Sequence, residues 1–234
     1  MVKSELIKRS PLRILEKSIN GGVGRGNIGV LASRKGVGKT ACLVHIATDK
    51  LLQGKNVIHV SFSAKTDYII NWYEDIFTEI AKKLKLESAV DVHDEIIKNR
   101  VIMNFNQEGV KINRVLKSLE AMIISGNFAA ETIVVDGFDF SKSNVEELHQ
   151  VREFADHTGL EFWFSVSLKD EEPLFDETGM PYELKSFLPG IAVLITLKFE
   201  GNHVRLQLIK DHDEVALKDL HLKLDPKTLL IAGE

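Results

Sequence analysis

A chain of 234 residues with 44% hydrophobic and 27% charged side chains and a net charge of −4 has the composition of a globular protein with a full core, which needs no staples. The acidic balance, without a basic stripe or tail, argues against nucleic acid as a partner. A single cysteine, Cys42, rules out an intrachain disulfide; with no apolar leader and no run of membrane-spanning length, the expectation is a cytoplasmic protein without membrane insertion.

The chain reads as one domain over 1–234, beginning with a helix and a glycine-rich lead-in over 1–26. Lys3, Lys8, Arg9, Arg13 and Lys17, interrupted by Glu5 and Glu16, read as solvated helix surface, with Leu12, Leu15 and Ile19 as the apolar stripe. Gly21-Gly22-Val23-Gly24-Arg25-Gly26 is too rich in glycine for regular structure. A strand follows at 28–32, then a helix at 40–52 with Leu43, Val44, Ile46, Ala47 and Leu51 on or near one face. Val57 to Phe62 has the near-continuous apolar character of a strand covered on both sides.

Ile69, Ile70, Tyr73, Ile76, Phe77, Ile80 and Leu84 recur at helical intervals over 67–84. A short helix beginning near Asp91, a strand from Val101 to Phe105 and a helix over 110–125, with Val110, Val115, Leu119, Met122 and Ile123 inward, come next. Thr132 to Val135 is the most strand-like run and ends on Asp136. Ser143-Asn144-Val145-Glu146 has the form of a capping box for a helix that stops at Gly159. Phe162 to Val166 is a strand, and the acidic, proline-bearing stretch 170–189, with Asp170, Glu171, Glu172, Asp176 and Glu177, reads as a surface loop. Ile191–Phe199 and His203–Ile209 flank Glu200-Gly201-Asn202 as a hairpin, and a last pair near 220–224 and 228–232 closes an edge. Strands alternating with helices through residue 166 require a mostly parallel sheet between two helical layers, a three-layer α/β/α fold with antiparallel strands at its C-terminal edge.

In such a sheet ligands sit at the carboxyl ends of the strands, where two features converge. Ser33-Arg34-Lys35-Gly36-Val37-Gly38-Lys39-Thr40-Ala41 runs from a strand through a glycine turn into a helix, so its backbone N–H groups would cradle phosphate. Lys39 would add charge on the β- and γ-phosphates of ATP, and the Thr40 hydroxyl would bind Mg²⁺. Asp136, delivered by its strand to the same edge, would hold a water on that Mg²⁺. The strict phosphate-loop pattern fails at its first position, which is Ser33. The eight histidines show neither paired cysteines nor zinc-site spacing, and Trp72 and Trp163 read as core.

Residues Leu15–Ile28 leading into Ala32–Thr40 resemble the start of RecA-superfamily ATPases of the KaiC, RadA and DnaB type, in which a Gly-Gly-x-x-x-Gly segment precedes the phosphate loop. The resemblance spans most of 12–212 and implies a RecA-like P-loop NTPase core that binds ATP between subunits of a homo-oligomer. Departures are as specific. Where those relatives carry a water-orienting glutamate this chain has Ser63, and Gly137 follows Asp136. Asp139 could serve instead or cap the following turn. Lys210-Asp211-His212 stands where relatives present Lys-x-Arg to a neighbour's nucleotide, so Lys210 is the candidate for a role in trans. Ser165 and Ser167 stand where relatives have a Ser-Gln sensor of the γ-phosphate. Arg34 resembles in position the lysine that ParA- and MinD-type dimers extend to a partner's phosphates. The expected function is an ATP-binding regulatory or assembly module that hydrolyses slowly or not at all. Three alternatives stand beside it: an active recombination or replication ATPase, a ParA/MinD-like dimer, and an interaction scaffold whose loop is blocked by Arg34 folding onto Asp136.

Overall fold

Six runs of branched apolar residues build a parallel layer: β1 (Ile28–Ser33), β2 (Val57–Ser61), β3 (Arg100–Asn104), β4 (Thr132–Asp136), β5 (Glu161–Ser167) and β6 (Val193–Glu200). The computed structural model describes residues 2–62, 65–105, 110–169 and 172–233, so the expectations attached to Ser63, Asp170 and Glu171 lie outside the described residues. Antiparallel β7 (His203–Asp211), β8 (Glu214–Leu224) and β9 (Ile231–Gly233) extend the sheet, giving nine strands in the order β3-β2-β4-β5-β1-β6-β7-β8-β9. Every residue of β1, β2 and β4 is buried, because both faces of the layer are covered. Edge strand β3 is only partly covered.

One face carries α1 (Lys3–Arg9), α2 (Leu12–Ser18), α3 (Lys39–Leu52), α4 (Thr66–Leu84) and α5 (Ala89–Lys98), packed on Leu31, Val57, Val134 and Trp163. The other carries α6 (Ile112–Ile124), α7 (Val145–Thr158) and a 3₁₀ segment, Tyr182–Gly190, packed on Val30, Ile58, Val135 and Phe164. Adjacent strand residues thus feed opposite cores, as the period of two requires. Register shifts in β6–β7 and β7–β8 accompany a curl of the antiparallel strands over the α3 face, where Leu206, Leu220, Leu222 and Ile231 join the first core.

Several expectations are corrected. The N-terminal region holds two short helices, not one, and Leu6 of α1 is buried beside Leu12, Leu15 and Ile19. Ile70 lies on the exposed side of α4; the seam is Ile69, Tyr73, Ile76 and Ile80, and residue 70 falls one step, about 100°, off it. The cap of α7 is Asn144, whose side chain accepts the Glu147 N–H at 2.9 Å, one residue beyond the expected Ser143. The stretch 170–189 is no plain surface loop: Met180, Leu184 and Phe187 are buried under the second helical layer. α3 is enclosed on all sides, with every residue except Thr40 buried.

Candidate functional site

β1 delivers Ser33 to the carboxyl edge of the sheet, and the chain turns there through two glycines with φ of +82° at Gly36 and +114° at Gly38. Such values place both in the left-handed region that side chains disfavour. Gly38 has a second constraint, since a Cβ there would stand 2.4 Å from Leu224 Cδ2, a buried side chain at the end of β8. α3 begins immediately after it. Arg34, Lys35 and Gly36 form an exposed crest, Val37 leans on the first core, and Ala41 is buried.

Lys39 folds back under this crest. Its Nζ donates to the Ser33 carbonyl at 3.0 Å, the Ser33 hydroxyl at 3.2 Å and the Arg34 carbonyl at 2.8 Å. Burial pushes the ammonium pKa down to about 8, and the charge of Asp136 opposes that shift. A cation is therefore stored within the turn, surrounded by acceptors that are dipoles rather than carboxylates.

Asp136 ends β4, two strands from β1, with β5 between them. Neighbouring strands lie about 4.8 Å apart, so the gap to β1 is near 10 Å. The first turn of α3 spans it: Thr40 Oγ1 donates to Asp136 Oδ2 at 2.9 Å. From the intervening strand Ser165 Oγ donates to Asp136 Oδ1 at 2.6 Å and accepts the Gly137 N–H at 3.0 Å. The carboxylate is thus fixed at both oxygens. Ser165, read from sequence only as a sensor position, is a positioning residue for Asp136, and nothing short of the β4–β5–β1 order could have revealed it.

Elsewhere the expected residues separate. Arg34 does not fold onto Asp136; its guanidinium forms an ion pair with Glu172 at the surface. Asp139 caps the turn at 140–142, accepting Ser141 N–H at 3.1 Å and Ser141 Oγ–H at 2.7 Å with Lys142 at 3.2 Å. Burial would raise its pKa, but the Ser141 hydroxyl, Lys142 and the Ser141 N–H outweigh burial and hold it below the usual carboxylate range. Ser167 is exposed opposite Ser33 in the β1–β5 register.

Lys210 lies at the other end of the sheet. It pairs with Leu194 near the start of β6, whereas the turn leaves the sheet at Ser33, beyond the Ala32–Thr196 pair. Its amine donates to the Ile191 carbonyl. His212 is bound at that same end, its ring nitrogens 2.7 Å from Asp211 Oδ1 and 3.2 Å from the Val23 carbonyl. The glycine-rich lead-in therefore docks at the strand-start end, away from Lys39 and Thr40. Within one chain Lys210 does not meet the turn.

The described chain thus presents a three-layer α/β protein with a cationic glycine turn facing a fixed carboxylate across one strand. No protein-family model and no curated protein matches it. Among the described residues no group of three or more His, Cys, Asp or Glu side chains is arranged to hold a metal ion by itself, and no helix is long and apolar enough to cross a membrane.

Proposed function

We propose that the turn Ser33–Thr40 binds the polyphosphate of ATP with Mg²⁺, and that the chain works as a nucleotide-dependent regulatory or assembly module with slow or absent hydrolysis. The observation that carries this reading is the meeting of Thr40 and Asp136 at 2.9 Å beside a buried lysine. A hydroxyl and a carboxylate at one point, next to free helix N–H groups, suit a hard divalent cation chelated by phosphate. Thr40 would ligate Mg²⁺ directly and Asp136 through water, while Lys39 would exchange its carbonyl acceptors for phosphate oxygens. Bound Mg²⁺ would neutralise charge on the β- and γ-phosphates.

The engagement of Asp139 with Ser141 and Lys142 supports slow turnover, because a capped carboxylate is a poor base for water. The placement of Lys210 at the far end of the sheet means that it would reach a phosphate only on another copy of the chain, which makes its role in trans conditional on a homo-oligomer.

Titration calorimetry with ATP and Mg²⁺ tests the reading. Wild type should bind at one site, with at least tenfold weaker binding in Lys39→Ala and a weakened Mg²⁺ dependence in Thr40→Val. Circular dichroism melts should show both variants folded. No binding by wild type, or equal binding by folded Lys39→Ala, refutes the proposal.

A further inference from the structure

A cavity of about 430 Å³ opens on the α3 face, walled by α1, α2, the middle of α3, the end of α4 and β9. That volume falls within the range of roughly 300–1,000 Å³ typical of small-molecule sites. Asp49 on its wall lies ten residues beyond Lys39, about 15 Å along the helix, so the cavity is distinct from the glycine turn.

Its apolar lining is aliphatic: Leu6, Ile14, Leu52, Ile80, Leu84 and Ile231 contribute, and no Phe, Tyr or Trp does among the described residues. A planar ring would find nothing to stack on, whereas an alkyl chain would be matched throughout. The polar lining is mostly cationic. Lys8, Arg9, Lys17 and Lys83 are exposed at the rim, and no carboxylate among the described residues pairs with any of them. Arg13 is engaged by the sole lining carboxylate, Asp49, and by Glu16 beside it on α2.

His45 supplies a directional group. It is buried, lines the cavity, and accepts the Ile231 N–H at Nδ1 at 3.0 Å, which leaves the ring proton on Nε2. That N–H has no partner among the described residues. Lys83 is close enough for its charge to act on the ring.

We propose that this cavity is a second ligand site, for a medium-chain aliphatic carboxylate whose head accepts from His45 Nε2–H beside Lys83 and whose chain lies along Leu6, Ile14 and Leu84. The solvated basic surface of the N-terminal helices is then the mouth of a binding site. The inference does not depend on the nucleotide reading.

Decanoate, kept below its micellar range, is the probe. Titration calorimetry of the full chain should give one saturable site. Arg9→Glu/Lys83→Glu should weaken it at least tenfold, and Lys117→Glu, an exposed lysine on α6 across the sheet, should leave it unchanged. Octanoate should bind about fifteenfold more weakly, since each missing methylene contributes about fourfold, and uncharged decanol at least tenfold more weakly than decanoate. Both rim residues are exposed, so the charge-reversed variant should melt like wild type. Lys39→Ala should keep the site, which separates this result from any failure to bind ATP. Absence of saturable binding, equal weakening by Lys117→Glu, or decanol binding as tightly as decanoate overturns the proposal.

Discussion

Lys39 carries the sharpest consequence at the scale of a single residue. Its ammonium, with a pKa held down to about 8 by burial, is protonated at pH 7 and loses its proton as pH rises past 8. A bound polyphosphate restores a high pKa, so binding above pH 8 must take up a proton. Affinity for ATP should therefore fall by roughly tenfold or more between pH 7.5 and 9.5, the loss being at most about 1.4 kcal/mol for each step of one in pH. Calorimetry at pH 9 in buffers of different ionisation heat should show proton uptake approaching one per site; a flat profile with no uptake would remove Lys39 from the phosphate contact. Lys39, Thr40 and Asp136 were legible in the sequence because strand, turn and helix follow one another locally and an apolar strand ends on an acid. The roles of Ser165, Glu172 and Leu224 were not: each meets the site through strand order or across more than a hundred residues, and a hydroxyl, a surface acid and a leucine carry no mark of such a meeting.

α3 shows the same divide at the scale of an element. Its apolar positions on one face were readable, but the burial of the rest was not, and all but Thr40 are buried. Three of its buried polar residues have a distant match: Lys50 with Glu161 at 2.9 Å, Asp49 with Arg13, and His45 with the Ile231 backbone, while the buried Thr48 hydroxyl has no partner among the described residues. A helix of mixed polarity is enclosed here because α2, β5 and β9 bring partners for it, and periodicity says nothing about partners. The turn that launches α3 separates two kinds of glycine requirement. Gly36 has φ of +82° with open space around its Cβ position, whereas Gly38 combines φ of +114° with the 2.4 Å approach to Leu224. Gly36→Ala should cost about 1 kcal/mol, from backbone strain alone. Gly38→Ala should cost about 2–4 kcal/mol, strain plus the displacement of a packed leucine. Urea unfolding of the two variants measures the difference, and equal costs would mean that Leu224 yields freely.

Across the whole molecule, the alternation of strands and helices was enough to foresee a parallel layer between two helical ones, and the terminal hairpins were enough to foresee its antiparallel edge. Which helices share a face, and how far the edge curls, depended on register shifts in β7 and β8 that no local pattern announces. The enclosure that results buries two histidines in one core. The pKa of His45 is lowered to about 4, first by burial and then by the charge of Lys83. That of His59 is lowered to about 3, first by burial and then by Arg100, with Tyr73 hydroxyl 3.0 Å from its Nδ1. In the unfolded chain both would titrate near 6.5. Between pH 6.5 and about 4 the unfolded state therefore binds more protons than the folded one, and stability falls as pH falls through that window. From pH 7 to pH 5 the loss should be about 2 kcal/mol per histidine, about 4 kcal/mol in all. Carboxylates held low, such as Asp139 and Asp225, contribute their loss only below the window, as pH falls through their depressed folded values. The variant His45→Asn/His59→Asn keeps a short acceptor at each site and removes the titration. Urea unfolding should show a steep decline for wild type between pH 7 and pH 5 and a nearly level profile for the double variant, whereas equal slopes would place the acid sensitivity elsewhere.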